Sequence, residues 1–547
     1  MNQLSQSVTR FILTCLIASA LPHCPAMSQD KPDAKQQTSL SAAETASGVV
    51  FNDKNANGKL DTDEAGIEDI RVSNGAQIVR TDAEGRYELA VDNDSIIFVI
   101  KPRDWATPLN QDHLPQFYYI HKPEGSPADF RFPGVAPTGP LPKSIDFPLL
   151  RRVEPDKFKA IMFGDPQPRN VAEVEFMSHD VIEQIIAEDA HGAAFGVTLG
   201  DIVFDDLNVM EPHNQSVALI GIPWYNVIGN HDLNLDAKTD EESDETFERI
   251  YGPAYYSFDY GPTHFMVIDD VHWHGPEGDK KAHYHGGMSK QQMEFIQNDL
   301  AMIPEDQLVV LMMHIPLDGV RDRQELYRLI EKRPATVSLS AHTHYMEHRF
   351  IGEEDGWKGK KKHHHIVNVT VCGSWWRGRR DERGIPHATM SDGGPNGYSI
   401  MEFDGQNYTL EMRGANLPAD YQMNLYAPES VAQGDLEKSM LIANVFNGSA
   451  KTIVSFRVVN QQGEYGNWHP MNATTMVDPA FAAEKKREEE VPDRPWTLLP
   501  GPHPTPHMWK ANLPADLPTG THVLEVRATN VIGKQVTGRR IIRVQTK

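Results

Sequence analysis

The stretch Ile228-Gly229-Asn230-His231-Asp232 closes an apolar segment, 222–228, whose composition is typical of a buried strand. The strand pattern ends at the glycine, and an amide, an imidazole and a carboxylate follow in succession. Taken alone, such a tripeptide is also compatible with an ordinary polar turn. Four other predicted strands in the same part of the chain end in similar groups, which favours one shared site over five separate turns.

The four further clusters have the same chemistry. They are Gly164-Asp165-Pro166-Gln167, Gly200-Asp201, Met313-His314-Ile315-Pro316 and Ala341-His342-Thr343-His344. Loops at the carboxyl ends of strands in open α/β sheets converge on one crevice. Asp, Asn and His side chains supply the oxygen and imidazole ligands that suit Mn, Fe and Zn. A turn or a helix cap would explain any single cluster, but the five together predict a hydrolase site with two metal ions.

In their order, these clusters resemble the motifs of the calcineurin-like metallophosphoesterase superfamily over about Phe158 to Arg413. The resemblance implies an α/β (α+β) fold with a central four-layer β-sandwich, in which two sheets lie face to face and helices cover the outside. It also implies hydrolysis of a small phosphomonoester or phosphodiester by a hydroxide that bridges two divalent ions. A nucleotidase or pyrophosphatase is the near alternative. A catalytically weak, surface-binding multidomain protein is the alternative from another class.

The resemblance further implies a role for each motif residue. The predicted metal ligands are Asp165, Gln167, Asp201, Asn230, His314, His342 and His344, with Asp201 shared by both ions. The predicted catalytic residues are His231 and Asp232. His231 would protonate the leaving oxygen, and Asp232 would orient the imidazole of His231. The ions would be Mn, Fe, Zn or Mg, and Gln167, where the family usually has histidine, favours a harder ion such as Mn. Phe204 stands where purple acid phosphatases place a tyrosine ligand, which argues against that subgroup.

Residues after the last histidine cluster are candidates for binding substrate. They are Trp375, Trp376, Arg377, Arg379, Asp392 and Asn396. Arginines suit a phosphate group and tryptophans can stack on a base or sugar, although a hairpin that packs on the next domain explains the tryptophans equally well. The histidines at 272, 274, 283 and 285 are expected in a solvated loop near the site. His363-His364-His365, after a lysine run, is expected at an exposed hairpin tip.

Changes in pattern along the chain predict its domains. Arg10 precedes an apolar run, 11–21, too short to span a membrane but suited to a signal peptide. We therefore predict a signal peptide at 1–28, a polar linker at 29–46, and export to the periplasm or the medium. Short strand patterns predict an N-terminal β-sandwich at 47–150 and an immunoglobulin-like β-sandwich at 414–547, on either side of a phosphoesterase domain at 155–413. Both outer domains are expected to be all-β.

A loop in the N-terminal region matches the spacing of an EF-hand calcium loop. The candidate ligands are Asp53, Asn55, Asn57, Lys59, Asp61 and Glu64. Alternate residues would turn inward and Gly58 would permit the bend. The flanking residues read as strands rather than helices, so a plain Asn/Gly-rich turn is the alternative to structural calcium.

The net charge limits the partners of the chain. With 52 basic and 76 acidic residues, it is −24, which argues against nucleic acid as a stable partner and against an anionic membrane. A small phosphate ester is the expected partner, no later segment is apolar enough to span a bilayer, and the oligomeric state is left open.

Overall fold

The structure is a computed structural model and describes residues 44–530 and 534–546. The predicted signal peptide, and the predicted linker up to residue 43, lie outside the described residues. The first strand, Glu44–Asn52, begins three residues before the predicted domain start, because Ala46 already pairs with Leu89 and is buried. Within the described ranges, none of the helices combines the length and apolar character needed to cross a membrane.

Two four-stranded sheets form the N-terminal part. One orders Arg86–Val91, Glu44–Asn52, Phe147–Arg151 and Trp105–Ala106, and the other orders Ile78–Arg80, Arg71–Ser73, Ser95–Val99 and Tyr118–His121. Exposed and buried side chains alternate along Arg86–Val91, as expected where one face of a strand covers a core.

Two larger sheets form the central part. The five-stranded sheet orders Trp224–Val227, Phe195–Leu199, Lys157–Phe163, Gly397–Asp404 and Asn407–Gly414. The six-stranded sheet orders Tyr256–Tyr260, Thr263–Val267, Leu308–Met312, Thr336–Ser340, His363–Val367 and Glu347–Ile351, and a separate hairpin pairs Val271–His274 with His283–Gly286. Phe195 of the first sheet packs edge-on against Phe265 of the second, with ring centroids 5.2 Å apart. The two sheets thus share a core, and the predicted mixed α/β fold class is confirmed.

Helices cover the outer face of the five-stranded sheet. Ile161 and Phe163 share one apolar cluster with Met177 and Val181, whereas Met162 belongs to the cluster between the sheets. The α-helices are Val171–Met177, Glu183–Ala187, Met210–Ala218, Glu245–Tyr251, Lys290–Ala301, Arg323–Ile330 and Pro479–Glu489, with a π-helix at Ser178–Ile182. Short 3-10 helices lie at Asp189–Gly192, Leu207–Val209, Leu317–Gly319, Glu353–Asp355 and Gln433–Lys438.

Two more sheets form the C-terminal part. One orders Met423–Tyr426, Met440–Val445, Thr505–Asn512 and Asn472–Met476, and the other orders Ser430–Ala432, Gln535–Gln545, Gly520–Thr529, Ile453–Val459 and His469–Pro470. The acidic and basic run 484–490 lies on the helix Pro479–Glu489, which Asp478 caps by accepting from the N–H of Phe481. Glu488 on this helix is buried, and its carboxylate accepts the N–H of Arg379 at 2.6 Å.

The prediction of an exposed hairpin tip at His363-His364-His365 is wrong. These residues form an inner strand of the six-stranded sheet, and His363 and His365 are buried. Both imidazoles contact the hydroxyl of Ser338 on the neighbouring strand, at 2.8 and 2.7 Å. A buried imidazole is tolerated where its ring nitrogens find hydrogen-bond partners, so hydropathy alone misplaces this segment.

A buried ionic network joins the N-terminal part to the central part. The guanidinium of Arg71 contacts Asp259 at 2.6 Å and Asp299 at 2.7 Å, and His264 lies between the same two carboxylates. His264 and Asp299 have no exposed side-chain surface. Removing one partner would leave uncompensated charge in a buried place, so the two parts are held in a fixed relation.

Candidate functional site

The predicted metal ligands follow strands of both central sheets. Lys157–Phe163, Phe195–Leu199 and Trp224–Val227 lead to Asp165, Asp201 and Asn230, while Leu308–Met312 and Thr336–Ser340 lead to His314, His342 and His344. The strands of each set run parallel, so their carboxyl ends lie at one edge of each sheet.

Four of these side chains converge on one point. One carboxylate oxygen of Asp201 and one ring nitrogen each of His314 and His342 lie within 4.8 Å of one another. Nε2 of His314 is 3.1 Å from Oδ1 of Asn230 and 3.1 Å from Nδ1 of His342. Nδ1 of His314 donates to the carbonyl of Leu199 at 2.9 Å, which leaves Nε2 as the nitrogen that can bind a metal. The residue types and the converging donor atoms fit a divalent cation.

Asp165 and His344, two further predicted metal ligands, are each held by a backbone group. The N–H of His342 donates to both carboxylate oxygens of Asp165, at 3.0 and 3.2 Å. Nδ1 of His344 donates to the carbonyl of Gly373 at 2.6 Å, so Nε2 of His344 is the nitrogen available to a metal. Asp165 and His344 are both buried.

Gln167 braces Asp201 in this structure. Its amide nitrogen donates to Oδ2 of Asp201 at 2.5 Å, and its backbone N–H donates to the carbonyl of Asp201 at 3.1 Å. Its amide oxygen lies 3.8 Å from Sγ of Cys372. The residue predicted to be a ligand is thus placed to hold the shared carboxylate, and amide rotation would be needed to offer oxygen to a metal.

His231 is oriented by a residue that sequence reasoning did not name. Nδ1 of His231 lies 2.6 Å from Oδ1 of Asp205, and Phe204 stacks on the imidazole with centroids 4.2 Å apart. The backbone N–H of His231 donates to Oδ1 of Asp201 at 2.9 Å. Although burial lowers the pKa of His231, the hydrogen bond to Asp205 and the charge of Asp201 raise it overall. Nε2 is left as the proton-donating atom.

The role predicted for Asp232 is corrected by its contacts. Its carboxylate accepts from the backbone N–H groups of Gly229, Ile202 and Val203, at 2.8, 3.1 and 3.1 Å. It therefore links the two loops that follow neighbouring strands, instead of orienting the imidazole of His231. Aspartate side chains commonly accept hydrogen bonds from nearby backbone N–H groups in loops, and the carboxylate of Asp232 does so here.

Burial and the nearby carboxylates together shift the pKa values of the three histidines in this cluster. Burial lowers the pKa of His342 and of His344 to about 4, so both imidazoles are neutral, as metal ligands must be. Burial also lowers the pKa of His314, but the charge and hydrogen bond of Asp201, together with the charge of Asp165, outweigh it and raise that pKa to about 10. A metal ion bound by His314 would have to displace its proton, so metal binding should release protons.

Backbone strain concentrates at these residues. Asp165, Gln167, Asp201, His342 and His344 have φ values of 37°, 40°, 50°, 69° and 56°. Residues other than glycine rarely adopt this left-handed region, and such conformations cluster at functional sites, where surrounding contacts hold them. All five of these residues are predicted metal ligands, so the strained backbone coincides with the predicted metal site.

Two of the six predicted substrate residues lie beside the cluster. The indole of Trp375 stacks on the imidazole of His344 with centroids 4.1 Å apart. The guanidinium of Arg377 lies over the same indole, 5.1 Å from its centroid. Arg169, which the sequence reasoning missed, donates to the backbone carbonyl of Trp375 at 3.1 Å, while its guanidinium pairs with Glu173 at 2.6 Å. These groups could bind a phosphate ester next to the metal residues.

The other four predicted substrate residues have structural contacts. The indole N–H of Trp376 donates to the carbonyl of Pro166 from a buried position. Arg379 reaches Glu484 of the C-terminal helix at 3.4 Å. Asn396 donates to Asp180 and Asp392 accepts from Met346, at 2.9 Å each, and both residues are buried. Buried polar groups are commonly retained to satisfy their neighbours, and these serve the packing of loops and domains.

The predicted histidine-rich loop is a hairpin that reaches the cluster. Tyr284 at its edge points its ring toward His342, with centroids 6.2 Å apart. The imidazoles of His274 and His285 stack at 4.8 Å, and His272 pairs with Asp240 at 2.7 Å. Tyr284 is partly exposed, so a substrate at the metal residues would approach its ring.

The predicted calcium loop is a closed polar turn. Asp53 is buried and accepts from the N–H of Gly58 at 2.8 Å. The amides of Asn55 and Asn57 both donate to Oδ2 of Asp61 at 2.8 Å, and Glu64 accepts from the N–H of Asp61 at 3.1 Å. The side chain of Lys59 stays exposed, so only its carbonyl could serve a cation. Calcium at this loop stays a prediction.

Comparison with known proteins gives three consecutive family matches. The description "N terminal of Calcineurin-like phosphoesterase" matches residues 54–136, "Calcineurin-like phosphoesterase" matches 162–346, and "C terminal of Calcineurin-like phosphoesterase" matches 364–536. No curated protein matches the chain.

Matches among solved structures include two phosphatases. A dimetal phosphatase from Danio rerio is 12% identical, covers 47% of this chain and 96% of its own, and has a TM-score of 0.32. A purple acid phosphatase from seeds of yellow lupin (Lupinus luteus) is 13% identical, covers 64% of this chain and 69% of its own, and has a TM-score of 0.35. Likenesses this distant establish neither substrate nor metal. By the three family matches, the chain belongs to the calcineurin-like phosphoesterases and is a metal-dependent phosphoester hydrolase.

Proposed function

We propose that this enzyme is exported and hydrolyses a small phosphomonoester or phosphodiester. The observation that carries the proposal is the convergence of Asp201, His314 and His342 next to His231, whose imidazole Asp205 holds at 2.6 Å. One group of side chains can hold cations, and the adjacent one can donate a proton to a departing oxygen. Both functions accelerate the hydrolysis of a phosphate ester.

Each residue of the site has a distinct task in this reaction. Two divalent ions, when bound, would supply an activated water and offset the negative charge of the phosphoryl group. His231 would donate its Nε2 proton to the leaving oxygen, because Nδ1 faces Asp205. Arg377, held over the indole of Trp375, would attract and orient the phosphate. The partial exposure of these two residues leaves room for a ligand.

We favour Mn²⁺ for the metal pair, and the chemistry at Gln167 supports that choice. After rotation of its side-chain amide away from Asp201, Gln167 would offer an amide oxygen, which is a harder ligand than imidazole and weakens the site for Zn²⁺ more than for Mn²⁺. Metal analysis of the purified enzyme, followed by removal of metals and reconstitution with each ion, tests the choice. Highest turnover with Zn²⁺ would contradict it.

Export is proposed from the N-terminal sequence alone, where Arg10 precedes the apolar run 11–21. Expression of the full chain in a bacterium, followed by N-terminal sequencing of the periplasmic fraction, tests it. A protein that keeps its first residues and stays with the cytoplasm would contradict the proposal.

Hydrolysis of p-nitrophenyl phosphate and bis-p-nitrophenyl phosphate by the Mn²⁺-loaded enzyme tests the activity and separates monoesters from diesters. Nucleoside monophosphates and pyrophosphate, assayed in parallel, test the nucleotidase and pyrophosphatase alternative. His231→Ala should abolish most turnover, whereas His179→Ala, an exposed histidine paired with Glu183, is the matched control. If no ester is hydrolysed and no metal is retained, the chain is a binding protein and the proposal is wrong.

A further inference from the structure

A large cavity lies at the end of the six-stranded sheet opposite the metal residues. Its volume is about 1220 Å³. Leu308 and Thr336 line it and begin the two strands that end before His314 and His342. At about 3.3 Å per residue, five or six residues of strand separate the cavity from the metal residues by roughly 20 Å. A ligand here would not reach the metal centre, so the cavity is a separate site.

The rim of the cavity is strongly basic in an acidic protein. Six lysines line it: Lys332, Lys358, Lys360, Lys361, Lys362 and Lys451. Arg333 adds a seventh cation, and Glu331 is the one acidic residue of the lining. The whole chain carries a net charge of −24. Because salt screens exposed charges beyond roughly 8 Å, the local cations, not the distant carboxylates, set the field inside the cavity.

Most of these cations are not neutralised by the protein. Lys362 pairs with Glu354, and Glu331 is already engaged by Arg328 at 2.9 Å. Among the described residues, the ammonium groups of Lys332, Lys358, Lys360 and Lys361 form no ion pair, and all four side chains are exposed. These exposed, unpaired ammonium groups leave the cavity with a positive local potential that attracts anions.

The floor of the cavity is a layer of rings. His364 stacks on Phe350 with centroids 4.8 Å apart and on His348 with centroids 5.1 Å apart. Nδ1 of His364 lies 2.8 Å from the hydroxyl of Tyr408, and the ammonium of Lys451 lies 3.8 Å from the centroid of Phe350. These contacts fix the floor, so the cavity is preformed and only the lysine side chains need to adjust to a ligand.

We propose that this cavity binds a short linear oligophosphate, a chain of at least three linked phosphate groups. Lysine ammonium groups bind phosphate oxygens as point charges with three donors each. The volume exceeds the roughly 300–1,000 Å³ of common small-ligand pockets, which favours a chain of phosphates over a single ion. A long nucleic acid is a weaker candidate, because it would extend beyond the cavity over a protein whose net charge is −24.

The test measures binding to the metal-loaded His231→Ala enzyme by calorimetry, so that the probe is not hydrolysed. Inorganic tripolyphosphate should bind, more weakly as NaCl rises. The triple variant Lys358→Ala/Lys360→Ala/Lys361→Ala should lose roughly tenfold or more in affinity, which corresponds to about 1.4 kcal/mol or more of binding free energy. The control variant Lys143→Ala/Lys438→Ala/Lys510→Ala removes the same charge from exposed positions outside the lining and should bind like the parent.

Two further arms identify the source of the phosphates and keep the proposal open to refutation. Equal affinity for tripolyphosphate and ATP would indicate that the ligand is an inorganic phosphate chain. Tighter binding of ATP would indicate a nucleotide whose base stacks on the rings of the cavity floor. Either result supports the site. The cavity triple variant in the otherwise native enzyme should turn over p-nitrophenyl phosphate like the wild type. Equal affinity of the cavity and control variants for tripolyphosphate, or tighter binding of oligo-dT than of tripolyphosphate, would overturn the proposal.

Discussion

Replacing Asp205 by asparagine should damage catalysis without removing the metals. The carboxylate of Asp205 lies 2.6 Å from Nδ1 of His231 and does not contact the residues that converge on the cation position. Asparagine keeps the shape but loses the charge that favours a protonated imidazole. General acid catalysis by one side chain is worth about 10²- to 10⁴-fold. Because the side chain of Asp205 is 40% exposed, solvent screens the pair, and we expect a loss near the lower end, roughly a hundredfold in kcat.

The dependence on the leaving group distinguishes this role from a structural one. A poor leaving group needs a proton more than a good one, so Asp205→Asn should slow phenyl phosphate hydrolysis more than p-nitrophenyl phosphate hydrolysis. Asp206→Asn is the matched control, because Asp206 accepts from the N–H of Asn208 and does not touch His231. Metal content measured for all three proteins should be equal. Equal losses on both esters, or lost metal in Asp205→Asn, would refute the reasoning.

Three further changes test other parts of the structure. Arg71→Met should lower the free energy of unfolding by about 3–5 kcal/mol, because it leaves buried carboxylates without a partner. The control Arg80→Met, which breaks an exposed pair with Asp69, should lower it by about 1 kcal/mol or less. Denaturant titration measures both values, and equal losses would contradict the role of the buried network. Gly229→Ala should abolish metal retention, because the added Cβ would lie 2.4 Å from Oδ1 of Asp201; bound metal at the wild-type level would contradict this. Calcium should raise the melting temperature of the wild type but not of Asp53→Ala, and no rise in the wild type would favour the plain turn.

The stability contributed by His264 should depend on pH with a defined sign. Burial lowers the pKa of His264, but the charges of Asp299 and Asp259 raise it overall. A raised folded-state pKa means that the contribution is complete below about pH 6.5 and declines as pH rises through the folded value. The free energy of unfolding of the wild type relative to His264→Asn should therefore shrink toward alkaline pH. Denaturant titration at several pH values measures this difference in the free energy of unfolding, and a difference that grows with pH would contradict this account.

The sequence was sufficient to predict the central fold and to collect residues for a site, because strand ends in parallel sheets meet at an edge. Asp201, His314 and His342 were singled out on that ground, and their donor atoms do converge. Contacts that depend on the direction of a side chain were less accessible. Asp232 is next to His231 in the chain whereas Asp205 lies 26 residues before it, and only coordinates show that Asp205 is the one that faces the imidazole.

Buried polar segments account for the remaining differences. The strand His363–Val367 reads as exposed because three histidines follow lysines, yet Ser338 satisfies its imidazoles in the interior. Glu488 sits in a run of charges but closes the contact between the C-terminal helix and Arg379. Hydropathy patterns predict burial from the cost of exposing apolar surface, and they fail where a hydrogen bond to a distant residue offsets the cost of burying a polar one.

The left-handed backbone at Asp165, Gln167, Asp201, His342 and His344 has a consequence for engineering. Each such conformation costs roughly 1–3 kcal/mol, and glycine would relieve most of it. Directed evolution that rewards heat resistance alone should therefore enrich glycine at the positions whose side chains carry the chemistry. The variants selected in this way would be more stable but inactive, so a selection for thermal stability has to be combined with a selection for turnover.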